Sequence, residues 1–224
     1  MNDNVVNKKS FLSQVTEIVK TNIRNIIILL SLCFVLFLSF QIYSFYISNK
    51  IQKNSISFFA AQNTDDTNVI TDTITKLSND NTFYGVLAKL ELIDLTLKQN
   101  NIEDSISMYL EVINQNNLES VYKSAIASKA SYQLIDINFE NLSLNYLNII
   151  NDFISYIDDE TDSYKGIKLE LKYLIKILEA EKNSIDYSSF NEVNDIYENI
   201  MSSDVVSSAI KERVNKIHEF YSNK

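Results

Sequence analysis

The sequence predicts an all-α protein, with one N-terminal transmembrane helix followed by a solenoid of α-hairpins. Three observations lead there. The 224 residues include no Pro and only two Gly, whereas sandwiches and barrels need many tight turns built on those residues. No charged side chain occurs between Arg24 and Lys50. Beyond that stretch, apolar residues recur at helical spacing in blocks. The opening tyrosines of these blocks, Tyr84, Tyr122 and Tyr164, stand about 40 residues apart, a spacing that stacked helical repeats use.

The apolar stretch, residues 25–48, reads NIIILLSLCFVLFLSFQIYSFYIS. At about 1.5 Å per residue, a helix of this length exceeds the roughly 30 Å hydrocarbon core of a bilayer. A secretory signal has a shorter apolar region and then a small-x-small cleavage site. Here Tyr43, Phe45 and Tyr46 end the run, and the nearest small pair, Ala60-Ala61, lies well downstream. Aromatic rings suit the membrane–water boundary, and a soluble core helix would be shorter or show a polar face, so a retained anchor is expected. Lys8, Lys9, Lys20 and Arg24 precede the run, and Lys50 and Lys53 follow it. That bias puts residues 1–24 in the cytoplasm and the chain from about Ser48 outside it, in the periplasm of a Gram-negative cell. Ahead of the anchor, SFLSQVTEIVK has Phe11, Leu12, Val15, Ile18 and Val19 at helical spacing. It reads either as an amphipathic lead-in on the membrane surface or as a frayed cytoplasmic tail.

Residues 49–81 read as a continuation of the membrane helix and a short, degenerate hairpin. Hairpins follow over 82–203. In the first, Phe83, Val86, Leu87, Leu90, Ile93 and Leu97 form one stripe, and QNN interrupts it. Asn101 then reads as an N-cap, with Glu103 and Asp104 favoured by the positive helix end. Ile106, Tyr109, Leu110 and Ile113 form the next stripe. The second hairpin runs from about Glu119 with a break expected at Asn138. The third ends in a helix opened by Ser189-Phe190-Asn191-Glu192, a capping-box pattern. Residues 204–224 read as a single closing helix. Each hairpin alone would leave an apolar face bare, which stacking covers.

Composition excludes some chemistry. The first 49 residues hold four cations and two carboxylates, so the total of −9 leaves −11 on the remainder. Such a body repels phosphate backbones, and nucleic acid is not an expected partner. Cys33 is the only cysteine, so no intrachain disulfide forms. His218 is the only histidine, set between Ile217 and Phe220, and reads as an ordinary helix residue. Asp158–Asp162, DDETD, lacks the Asp-x-Asp-x-Asp-Gly pattern of a calcium loop and reads as a solvated connection. No catalytic residue, metal ligand or cofactor is expected. The remaining candidates are tyrosines. Tyr84, Tyr109, Tyr122, Tyr164 and Tyr197 could anchor a bound peptide on the inner face of a solenoid, or could serve the core.

The hairpin NNIEDSISMYLEVI resembles the second half of a tetratricopeptide repeat. Asn100-Asn101 sits at the turn, Ser105 at the small position and Tyr109 at the aromatic one. Asn138 and Ser143 fit the next repeat, where Leu147 replaces the aromatic. Tyr197 fits the last, where Val193 replaces the small residue, and the usual closing Pro is missing throughout. The whole layout is similar to the YfgM-like family of ancillary SecYEG translocon subunits. That resemblance implies a single-span protein of the bacterial inner membrane with a tetratricopeptide-like periplasmic domain. It also implies a non-enzymatic, chaperone-like part in protein export. The implied partners are the Sec translocon, a membrane-anchored periplasmic prolyl isomerase and exported clients, with the lipid bilayer holding residues 25–48. A cell-envelope scaffold that self-associates is the alternative, and carboxylate or metal chemistry at Asp158–Asp162 is a third reading.

Overall fold

A computed structural model describes residues 11–116, 118–158, 162–185 and 191–223. Among them every regular element is a helix: α1 (Phe11–Gln62), α2 (Thr67–Ser78), α3 (Phe83–Lys98), α4 (Ile102–Ile113), α5 (Ser120–Glu140), α6 (Leu147–Ser155), α7 (Asp162–Lys182), α8 (Asn191–Ser202) and α9 (Ser208–Ser222). They divide into two units, residues 1–85 and 86–224. Lys8 and Lys9, the side chains of residues 11–15, and the Ser189-Phe190 half of the expected capping box lie outside the described residues.

In the first unit α1 runs 52 residues without a break, about 78 Å at helical rise. Among the described residues nothing covers its apolar stretch: Phe40 is 65%, Ile42 71% and Phe45 69% exposed. Ser39 Oγ donates to the Val35 carbonyl at 2.9 Å, so its hydroxyl is spent inside the helix and adds little polarity to the surface. This is a helix long and apolar enough to cross a membrane. Beyond it, α1 packs against α2, burying Phe58, Ala61, Ile74 and Leu77. Asp66 caps α2 by accepting from the Asn68 and Val69 N–H groups at 3.0 and 3.3 Å. Asn54, itself buried, donates to Asp80 and to Thr82 at 3.0 Å each, and Lys50 lies 2.9 Å from Asp80. Gly85 is required where it stands, because a Cβ there would lie 1.8 Å from the Asp80 carbonyl oxygen.

In the second unit each helix packs on near neighbours in the chain. The central helix α5 lies against α4, α6 and α7, and α7 in turn meets α8 and α9. Small residues allow the close approach. Ser124, Ala127, Ser128, Ala130 and Ser131 of α5 are all buried, and the serines are satisfied locally. Ser128 and Ser131 donate to the carbonyls four residues back at 2.7 and 2.8 Å, and Ser124 Oγ accepts from the Asp158 N–H at 2.9 Å. One apolar core gathers Ile93, Val112, Ile113, Ile150, Phe153 and Leu171. A second gathers Tyr173, Ile177, Val193, Ile200 and Val214. Helix α7 supplies both, Leu171 and Ile175 to the first, Tyr173 and Ile177 to the second.

One element ends where the sequence did not put it, and one cap works differently. The break expected at Asn138 falls later, since α5 continues to Glu140. Asn138 is buried and works as a connector: its amide donates to the Leu134 carbonyl at 2.8 Å and accepts from the Tyr146 N–H at 3.4 Å. Asn101 does stand at the N-cap of α4, but its side chain makes no capping bond to the backbone. Instead it donates to the Asp104 carboxylate. Its carbonyl accepts from the N–H and the hydroxyl of Ser105.

Candidate functional site

The five tyrosines do not gather on one surface. Tyr109 is 2% exposed. It meets Phe153 edge to face at 6.0 Å between ring centres, and its hydroxyl donates to Gln133, so it is a core residue. Tyr84 sits among Phe58, Phe59 and Phe83 in the first unit. Tyr164 packs half-buried on the first core of the second unit. Tyr197 stacks on His218 at 3.7 Å and donates to Asn215 at 2.7 Å. Tyr122 is the most open, at 43%. His218 also lies 3.3 Å from the Tyr173 hydroxyl, and burial holds its pKa below the usual value. Asp158 is tied to Ser120 at 2.8 Å, while residues 159–161 lie outside the described residues. Among the described residues no three His, Cys, Asp or Glu side chains are grouped to hold a metal ion. Cys33 is exposed on α1.

Among the described residues a concavity lies elsewhere, in the second unit. Helices α3 and α5, with the turns after each, wall an open cleft of about 780 Å³. Its apolar lining is Leu97, Ile102, Ile137 and Leu144, and its carboxylates are Glu91, Asp94, Asp136 and Glu140. Lys98 is the only cation among the lining residues. A second depression of about 500 Å³ shares Asp136 and continues between α5, α7 and α9. Phe139, Leu142, Leu174, Ile217 and Tyr221 line it, with Glu181 and no cation.

The wall of the cleft is braced from behind. Lys129 donates to Asp94 Oδ2 at 2.7 Å, and Gln133 Nε2 donates to Asp94 Oδ1 at 3.1 Å. Gln133 also accepts from Tyr109, so α3, α4 and α5 meet in one polar chain. Burial, helped by the Asp94 charge, raises the Tyr109 pKa. A matching node joins α5, α7 and α9. Glu170, 2% exposed, takes two bonds from Arg213 at 2.9 and 2.7 Å and one from the Tyr132 hydroxyl at 2.7 Å. Desolvation and the Glu170 hydrogen bond raise the Tyr132 pKa. In the cleft itself, Asp136 and Glu140 stand one turn apart on α5. Desolvation by the cleft walls, and then the Glu140 charge, push the Asp136 pKa up.

Sequence reasoning passed over these acids because it looked for aromatic anchors. A signal was present. Asp136 and Glu140 are spaced i,i+4 and Glu91 and Asp94 i,i+3, and like charges at those spacings share a helix face and repel. Such an arrangement presents hydrogen-bond acceptors and negative charge beside apolar surface, which is binding chemistry. Comparison with protein-family models, with curated proteins and with solved structures finds no match to this chain.

Proposed function

We propose that the chain is a non-enzymatic, membrane-tethered protein-binding module whose second unit is a tetratricopeptide-like solenoid. The observation that carries the reading is the cleft between α3 and α5, an apolar floor with polar walls held by braced helices. Ligand sites of this kind combine apolar area with a few placed polar groups. The order of packing supports the solenoid. From α4 onward the most extensive helix pairings join helices one or two places apart in the chain, as stacked hairpins do. The uncovered α1 supports the tether, since its exposed rings are costly in water and at home in lipid. Tethering concentrates the module beside membrane partners, so weak contacts suffice.

In the full reading the protein is a single-span protein of the bacterial inner membrane, its N-terminus cytoplasmic and its body periplasmic. Its partners are the Sec translocon, a membrane-anchored periplasmic prolyl isomerase and exported clients. In vivo crosslinking of the full chain in its host is expected to recover translocon subunits. A well-expressed bait that recovers none defeats this reading, and a reporter after Lys224 that is active only in the cytoplasm defeats the topology. The alternative, a self-associating envelope scaffold, draws on exposed Ile56, Phe59 and Val69 in the first unit. A stable oligomer of the purified full chain favours it.

A further inference from the structure

We infer that the cleft of α3 and α5 takes a cationic, amphipathic protein segment, Lys or Arg side chains meeting Asp136 and Glu140 while apolar ones settle on Leu97, Ile137 and Leu144. The inference rests on the protein-binding reading and adds the chemistry of the partner.

Charge complementarity decides the occupant. Across the cleft and its continuation the lining holds five carboxylates, Glu91, Asp94, Asp136, Glu140 and Glu181, against the single cation Lys98. Asp94 is neutralised by Lys129. Asp136 and Glu140 instead stand as like charges one helical turn apart, and desolvation first, then the Glu140 charge, raises the Asp136 pKa. A purely apolar guest would strip water from these carboxylates and give nothing in return. An acidic guest, or a lipid phosphate, would add repulsion. A guest carrying cations at the rim relieves the Asp136–Glu140 repulsion as it buries the apolar floor, so both terms favour it. The remainder of the chain, at −11, steers such a segment inward over longer distances.

The test uses the full chain in nanodiscs of a zwitterionic lipid, with empty discs subtracted. Fluorescence anisotropy follows a short peptide alternating Lys and Leu, and its counterpart with Glu for Lys. The Lys peptide is expected to bind, more weakly as salt rises, and the Glu peptide not to bind. Asp136→Asn with Glu140→Gln is expected to weaken binding by about three- to tenfold. Asp195→Asn with Glu198→Gln makes the same change in net charge on exposed positions of α8, and is expected to leave affinity within about twofold. Circular dichroism confirms that each variant is folded, and Glu91→Gln provides an independent cleft variant. Equal weakening by the α8 pair would show general attraction to an acidic body and overturn the inference. Tight binding of the Glu peptide would overturn it too, while leaving a protein-binding module intact. Failure of the Lys peptide to bind also sinks it, whereas loss of the broader reading would show as empty crosslinks in the host.

Discussion

Asp136 and Asp80 are both acids held close to protein, yet their surroundings drive them in opposite directions. For Asp80, burial pushes the pKa up, but hydrogen bonds from Lys50 and Asn54, with the Lys50 charge, outweigh it and the net shift is downward. For Asp136, burial and Glu140 act together upward. The folded chain therefore holds the Asp136 proton through a window where the unfolded chain has released it, and this group's contribution to stability falls as pH rises through that window. Asp136→Asn is expected to raise Tm at neutral pH by about 1–2 °C, a small effect because the side chain is partly in water. The gain should vanish below the ordinary carboxylate range, about pH 4. Thermal melts of wild type and variant across pH check both parts, and a gain that persists in acid would point to packing instead. The helical spacing of Asp136 and Glu140 was legible in the sequence. Their position over a cleft was not, because α3 and α5 are brought together by residues 35 or more apart, such as Asp94 with Lys129.

Helix ends show how a chain with two glycines makes tight stops. After α3 the Asn100 N–H donates to Leu97 and the Asn101 N–H to Thr96, at 2.9 and 3.1 Å. After α7 the Ser184 N–H donates to Glu181 and the Ile185 N–H to Ala180, at 3.2 and 2.9 Å. Both are the paired bonds of a Schellman stop, which wants a left-handed residue, usually Gly. Here Asn100 and Ser184 take it, with φ of 58° and 51°. Asn tolerates that conformation through local hydrogen bonding, and Ser does so less well. Ser184→Gly is expected to stabilise the second unit by roughly 0.5–1 kcal/mol, after Gly's greater freedom in the unfolded chain is deducted. Chemical denaturation reads this directly, and Asn100→Gly should gain less. The turn at Asn100-Asn101 could be read from residues alone because QNN breaks an apolar stripe. The end of α5 could not, because Asn138 resembles a breaker in one dimension and becomes a buried hydrogen-bonding link once Tyr146 arrives beside it.

At the level of the whole chain, the second unit is held by alternating apolar cores and polar nodes. Arg213 is the test of that design, since its guanidinium ties α9 to the buried carboxylate of α7 and, through Tyr132, to α5. Arg213→Met should cost about 2 kcal/mol. This is less than a fully buried pair would lose, because the Arg213 side chain is 55% exposed. Adding Glu170→Met should restore most of the loss, because no buried charge is then left unpaired. A double-mutant cycle measures the coupling, and no recovery would mean that the node matters through shape alone. The helical class and the long apolar helix were readable from composition and periodicity, which are local properties. The nodes were not, because Glu170 and Arg213 are 43 positions apart and nothing in either neighbourhood names the other. No proline, glycine or loop interrupts α1 between Ser48 and Gln62, so the membrane-competent rod and the shaft that packs on α2 are mechanically one piece. With about 100° of turn per residue, adding or deleting a single position in the shaft would re-aim its packed face like a key cut one notch out of phase. Any twist of the rod in lipid would likewise be delivered to α2 without a joint to absorb it.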